Sequence, residues 1–147
     1  MTDFDLRTEA NINTLIPAAR AKASEFMTAC LDAGIPLKII CGTRTYEEQD
    51  DLYAQGRTKP GEIVTRARGG YSWHNFGIAW DIGIFDIETG KYIPESTFYR
   101  QAGVIGEQLG LNWGGNWQFA DEPHFQLNLG LTLDQCRVRI AQGKSIV

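Results

Sequence analysis

The stretch Ser72-Trp73-His74-Asn75-Phe76-Gly77-Ile78-Ala79-Trp80-Asp81 constrains this chain most. It carries one of the two histidines and, seven residues later, an aspartate inside an apolar run. A carboxylate among Ile and Trp must find a partner, because burying it unpaired is very costly. Gly77 argues against one continuous helix here, so His74 is expected on a loop or short turn and Asp81 on a strand. On such a strand Ala79, Asp81 and Gly83 share one side, and Ile78, Trp80 and Ile82 the other. Asp81 then stands among small residues, with room beside it. The second histidine, His124, lies in Asp121-Glu122-Pro123-His124-Phe125. Two imidazoles and a carboxylate suit a divalent metal, and a catalytic zinc takes three protein ligands and leaves a fourth position to water. His74, Asp81 and His124 are therefore the candidate ligands. The alternatives are a salt bridge or turn hydrogen bonds for Asp81, and ordinary hydrogen-bonded positions for the histidines.

Asp121 and Glu122 supply carboxylates just before His124. An acid near a metal but not bound to it can take a proton from metal-bound water. Strand alternation puts Glu122 on the side of His124, so spacing does not choose between the two acids, and both could be solvated turn residues. Arg44 follows a strand and precedes a capped helix. It could polarise a carbonyl or fork onto a carboxylate, or serve as a surface ion-pair partner. Trp113, Trp117 and Phe119 could line a groove, but core positions are the commoner fate of such residues.

The 147 residues, 43% hydrophobic and 22% charged, fit one soluble domain over 1–147. A net charge of −4 gives no electrostatic reason for a nucleic-acid or anionic-membrane partner. No run has the apolar length of a membrane span. Cys30, Cys41 and Cys136 form no Cys-x-x-Cys pair and read as small buried hydrophobes. The acidic N-terminus lacks an apolar h-region, so synthesis in a cytoplasm without a signal peptide is expected.

Periodicity predicts a short helix over Leu6–Leu15 with Thr8 as its cap. A second should run from Pro17 to Ala33, burying Ala19, Ala23, Phe26, Cys30 and Leu31. A strand is expected at Ile35–Cys41. The Thr45/Glu48 capping box opens a third helix that ends at Gly56. A long loop, Arg57–Tyr71, follows, with a short strand at Ile63-Val64. Ala79–Phe85 reads as a buried strand, Lys91–Ile93 as its hairpin partner, Thr97–Leu109 as a helix capped by Ser96, and His124–Leu129 as a strand. The Thr132/Gln135 box opens a last helix with Leu133, Cys136 and Ile140 inward. This order favours an α+β fold with an antiparallel sheet.

Ser72-x-His74-x-x-Gly77-x-Ala79-x-Asp81 followed by Asp121-x-x-His124 resembles the zinc peptidases of the LAS group, peptidase family M15. The group contains D-alanyl-D-alanine carboxypeptidases and phage L-alanyl-D-glutamate endopeptidases. Gly42-Thr43-Arg44-Thr45 with Gln49, Leu52–Arg57, Trp113-Gly114-Gly115 and Asp121-x-Pro123-His124-Phe125 are similar to the endolysin-like branch. The resemblance implies zinc bound by His74, Asp81 and His124, Asp121 as general base, Arg44 near the scissile carbonyl, and Ser72 and Gln49 as substrate-binding support. It implies a small Hedgehog/DD-peptidase-like α+β fold, here without a separate wall-binding domain. The implied substrate is the peptidoglycan stem peptide, cut between L-Ala and D-Glu by a monomer that reaches the cell wall after release, as a phage or prophage endolysin does. The rivals are a D-alanyl-D-alanine carboxypeptidase with the same residues and a non-catalytic zinc-containing binding module. A two-histidine, one-carboxylate Fe(II) oxygenase fits less well, because the six-residue gap and the predicted helices depart from its usual strand motif.

Overall fold

The structure, a computed structural model, describes residues 4–146. Two helices, α1 (Leu6–Asn13) and α2 (Pro17–Asp32), lead into β1 (Leu37–Cys41) and α3 (Tyr46–Ala54). A long loop ends in a 3-10 turn (Trp73–Phe76) that delivers the chain to β2 (Ala79–Phe85) and β3 (Tyr92–Ile93). Then come α4 (Thr97–Gln108), β4 (Asn112–Trp113), a second 3-10 turn (Gly114–Asn116), β5 (His124–Gln126) and α5 (Leu133–Ala141). The sheet is antiparallel in the order β1-β2-β5-β4, with β3 also paired to β2. The expected α+β architecture is what the chain adopts.

Local chemistry explains the element ends. Thr45 and Glu48 form the reciprocal capping box of α3, Ser96 caps α4, and Thr132 with Gln135 opens α5. Pro17 occupies the first turn of α2, where its missing N–H is not needed. The cap of α1 is Asp5, whose carboxylate accepts from the Thr8 N–H at 3.0 Å, and not Thr8 as the sequence predicts. Thr8 is instead buried, and its hydroxyl accepts from the Ile39 N–H, pinning α1 to β1.

The sheet has two unlike faces. One carries Ile39, Trp80, Ile82, Ile84 and Phe125, all fully buried. Phe26 of α2 packs on this face, with ring centroids 4.5 Å from Phe125 and 6.1 Å from Trp80. Around it lie Ala19, Ala23, Met27 and Cys30. Leu31, predicted inward, is exposed, because Met27 rather than Leu31 continues the buried stripe. Ile140 is likewise exposed, since α5 buries only Cys136 fully. No strand forms at Ile63-Val64; both residues are exposed and have no sheet neighbour to pair with.

Helix α4 approaches β5 closely. A Cβ added at Gly106 would stand 2.7 Å from the Phe125 ring. Gly106→Ala should therefore lower stability by about 1–3 kcal/mol through overpacking, read as a reduced urea midpoint at unchanged m-value.

Candidate metal centre

Strand register brings half of the site together. Asp81 on β2 lies opposite Cys41 on β1 and opposite His124 on β5. Directly opposed residues of antiparallel strands share a face, with Cβ atoms roughly 4.5–5.5 Å apart. His74 arrives from the first 3-10 turn, where the Ser72 hydroxyl accepts from its N–H at 3.2 Å. Gly77 closes that turn at φ +74°, a conformation that favours glycine. Buried Asn75 stitches the turn to its surroundings. Its amide donates to the carbonyls of Arg44 and Thr45, and its oxygen accepts from the N–H groups of Gly70 and Ser72.

Asp81 Oδ1 is 3.2 Å from both His74 Nε2 and His124 Nδ1. The far side of each ring has a fixed partner. His74 Nδ1 lies 2.8 Å from the Gly42 carbonyl, which can only accept, so Nδ1 carries a proton. His124 Nε2 lies 2.7 Å from Gln126 Oε1, and the Gln126 amide in turn donates to Asn128 at 2.7 Å. Nε2 therefore carries a proton as well. Each neutral ring then turns a lone pair toward the same carboxylate oxygen. Such a convergence needs a cation, supplied either by further protons or by a metal. The N/O donor set fits zinc, and outer hydrogen bonds that fix ring orientation are typical of metal-ligating histidines.

Electrostatics agree with this picture. Burial opposes a charge on His74, but the Asp81 carboxylate outweighs it and lifts the imidazole to about 10. Burial likewise opposes the Asp81 charge, yet His124 and His74 hold its carboxyl well below the usual carboxylate range. Asp121 is pushed up by partial burial and by the negative charge of Asp81.

A cavity of about 360 Å³ is lined by His74, Asp81, His124, Asp121, Arg44 and Ser72, among others. Six of the seven residues that the sequence nominates thus meet at one opening. The seventh, Gln49, was expected to bind substrate but is 0% exposed. It accepts from Arg44 at 3.0 Å and donates to the Ala67 carbonyl at 2.7 Å, so it holds the arginine and the cleft loop. A second Arg44 nitrogen lies 3.7 Å from Asp81 Oδ2. Glu122 is engaged elsewhere: its carboxylate is 3.6 Å from Arg100, and its carbonyl accepts from Trp113.

Two expectations need correction. Trp113 is core, but Trp117 and Phe119 are 38% and 69% exposed and line the cleft. They belong to an irregular segment between the second 3-10 turn and β5. Cys30 and Cys136 are buried as expected, whereas Cys41 is half-buried with its sulfur 3.9 Å from His74 Nδ1. Gln126, Asn75 and the Gly42 carbonyl were not nominated from the sequence. Of these, only Gln126 had a signal, since strand alternation places it on the face of His124.

A group whose folded pKa is raised stabilises fully below its unfolded value and loses that contribution as pH rises through the folded one. Metal-free protein should therefore lose stability from pH about 6.5 to about 10 as His74 deprotonates. Urea unfolding of chelator-treated protein across that range measures it. A bound metal takes the place of the proton, so loaded protein should lack this slope. Gln126→Leu removes the group that orients His124 and should weaken metal binding roughly 10–100-fold with the fold retained, read by competition with a chromogenic chelator.

Comparison with known proteins supplies the family. A model of an M15 peptidase family, described as D-alanyl-D-alanine carboxypeptidase, matches residues 65–127, the segment containing His74, Asp81, Asp121 and His124. The peptidoglycan L-alanyl-D-glutamate endopeptidase CwlK of Bacillus subtilis (strain 168) is 38% identical over 122 residues, covering 77% of this chain and 73% of CwlK. The L-alanyl-D-glutamate peptidase of Listeria phage A118 is 28% identical over 127 residues, 83% of this chain but 41% of the phage protein. The crystal structure of the L-Ala D-Glu endopeptidase ChiX from Serratia marcescens shares the fold, with a TM-score of 0.59 at 24% identity over 84% of this chain and 88% of ChiX. The extent of the likeness to CwlK, on a fold that these peptidases share, makes this chain a member of the M15 family of zinc-dependent metallopeptidases.

Proposed function

We propose that this chain is a peptidoglycan hydrolase that cuts the stem peptide between L-Ala and D-Glu. The observation that carries the reading is the convergence of two imidazole lone pairs on Asp81 beside a free carboxylate, Asp121, in one open cavity. His74, Asp81 and His124 are the residues that would hold zinc. The bond assignment is supported by the activities of CwlK, the phage peptidase and ChiX. The phage relative also supports an endolysin role, although the chain spans less than half of its length.

Zinc, when bound, supplies a Lewis acid that polarises the scissile carbonyl and acidifies a water molecule. Asp121 takes the proton of that water. Its carboxylate lines the same cavity as His74, Asp81 and His124, in place to accept that proton and to return it. It then passes the proton to the leaving amine. Arg44, held by Gln49 and Asp81, aims a guanidinium into the cavity and stabilises the developing oxyanion. Ser72 keeps His74 in place by capping its turn.

The description of the matching family model favours one rival, release of a terminal D-Ala. Digestion of purified peptidoglycan, with products read by mass spectrometry, separates the two. Stem peptides beginning at D-Glu establish the endopeptidase, whereas loss of D-Ala alone establishes the carboxypeptidase. No product from zinc-loaded protein points to a binding module. Asp121→Asn should keep stoichiometric zinc and lower kcat by about 100-fold or more; full activity in that variant would remove Asp121 from the mechanism.

A further inference from the structure

The cleft does not stop at the metal cavity. It runs on into a second hollow of about 900 Å³. Val64, Thr65, Ala67, Trp117 and Asp121 line both, so the two are continuous. One wall of the second hollow is the loop 57–71. That loop carries Arg57, Lys59, Arg66 and Arg68 against the single acid Glu62, a net +3 in a chain of net −4.

The four cations are not equivalent. Arg57 donates to the carbonyls of Tyr53 and Thr65. Lys59 pairs with Asp51 at 3.1 Å. Arg68 lies over the Tyr71 ring, outside the hollow. Arg66 lines the hollow and, among the described residues, makes neither an ion pair nor a hydrogen bond. Its guanidinium sits 4.7 Å from the centroid of the exposed Phe119 ring. A planar cation resting on an aromatic face keeps its N–H edges free for a bidentate carboxylate.

Asp121 sets the direction of the substrate. It lines both hollows, while Arg44 lines the metal cavity and not the second hollow. The group that returns a proton to the leaving amine must stand on the leaving-group side. The departing half of the substrate therefore extends into the arginine-bearing hollow. In a γ-linked D-Glu the carbon that bears this amine also bears a free α-carboxylate.

We propose that Arg66, on its Phe119 platform, is a specificity-determining residue that binds the free α-carboxylate of D-Glu in the leaving half of the stem peptide. This rests on the peptidase reading above. The test uses two tripeptides, L-Ala-γ-D-Glu-L-Lys, with the D-Glu α-carboxyl either free or amidated. Zinc-loaded wild-type protein should cut the free acid with kcat/KM about tenfold or more above the amide, chiefly through KM. Arg66→Gln should bring that ratio to about one with zinc content unchanged, and Arg66→Lys should restore part of it. No preference in the wild type, or an undiminished preference in Arg66→Gln, would overturn the proposal. If the wild type cuts neither peptide, the L-Ala–D-Glu reading fails and binding alone decides the subsite. Tryptophan fluorescence would then be titrated with each tripeptide in zinc-loaded protein. Tighter binding of the free acid that is lost in Arg66→Gln upholds the subsite, and equal binding of the two removes it.

Discussion

A single carboxylate organises this molecule. Asp81 sits on a central strand of the sheet, and its charge is maintained by what surrounds it: two imidazoles at 3.2 Å and a guanidinium at 3.7 Å. None of these groups comes from its own strand. His124 is delivered by β5, His74 by the turn before β2, and Arg44 by the loop after β1. Folding the sheet in any other register would leave the carboxylate without partners, at a cost of several kcal/mol. The site and the topology therefore specify each other.

The sheet divides labour between its faces. Trp80, Ile82 and Phe125 drive burial against α2, while Asp81 and His124, which alternate with them, face the cavity. Ala79 and Gly83, on the side of Asp81, are small, and Gln126 faces Ala79 across the strands. A one-residue slip would exchange the faces, placing charge in the core and aromatic rings in the cleft.

How far this was legible in the sequence follows from which signals are local. Capping boxes at Thr45 and Thr132, Pro17, and the apolar run around Asp81 are short-range patterns, and the elements they predict are present. The sequence nominated His74, Asp81 and His124 from chemical type and setting, and the geometry brings them together. What failed was decided by distant partners. Thr8 lost its capping role because Asp5 was better placed and Ile39 needed an acceptor. Trp117 and Phe119 are exposed on an irregular segment that lines the cleft, a placement no local pattern records. Gln49 looked like a binding residue, and only its burial and its contact with distant Ala67 reveal that it faces inward.

That buried amide has a mechanical implication. Gln49 clasps Arg44 with its oxygen and the 57–71 loop with its nitrogen, through Ala67. The cleft wall and Arg44 thus hang from one fully buried side chain. Perturbations on the two sides of Gln49 are therefore energetically coupled and will not add as independent changes do.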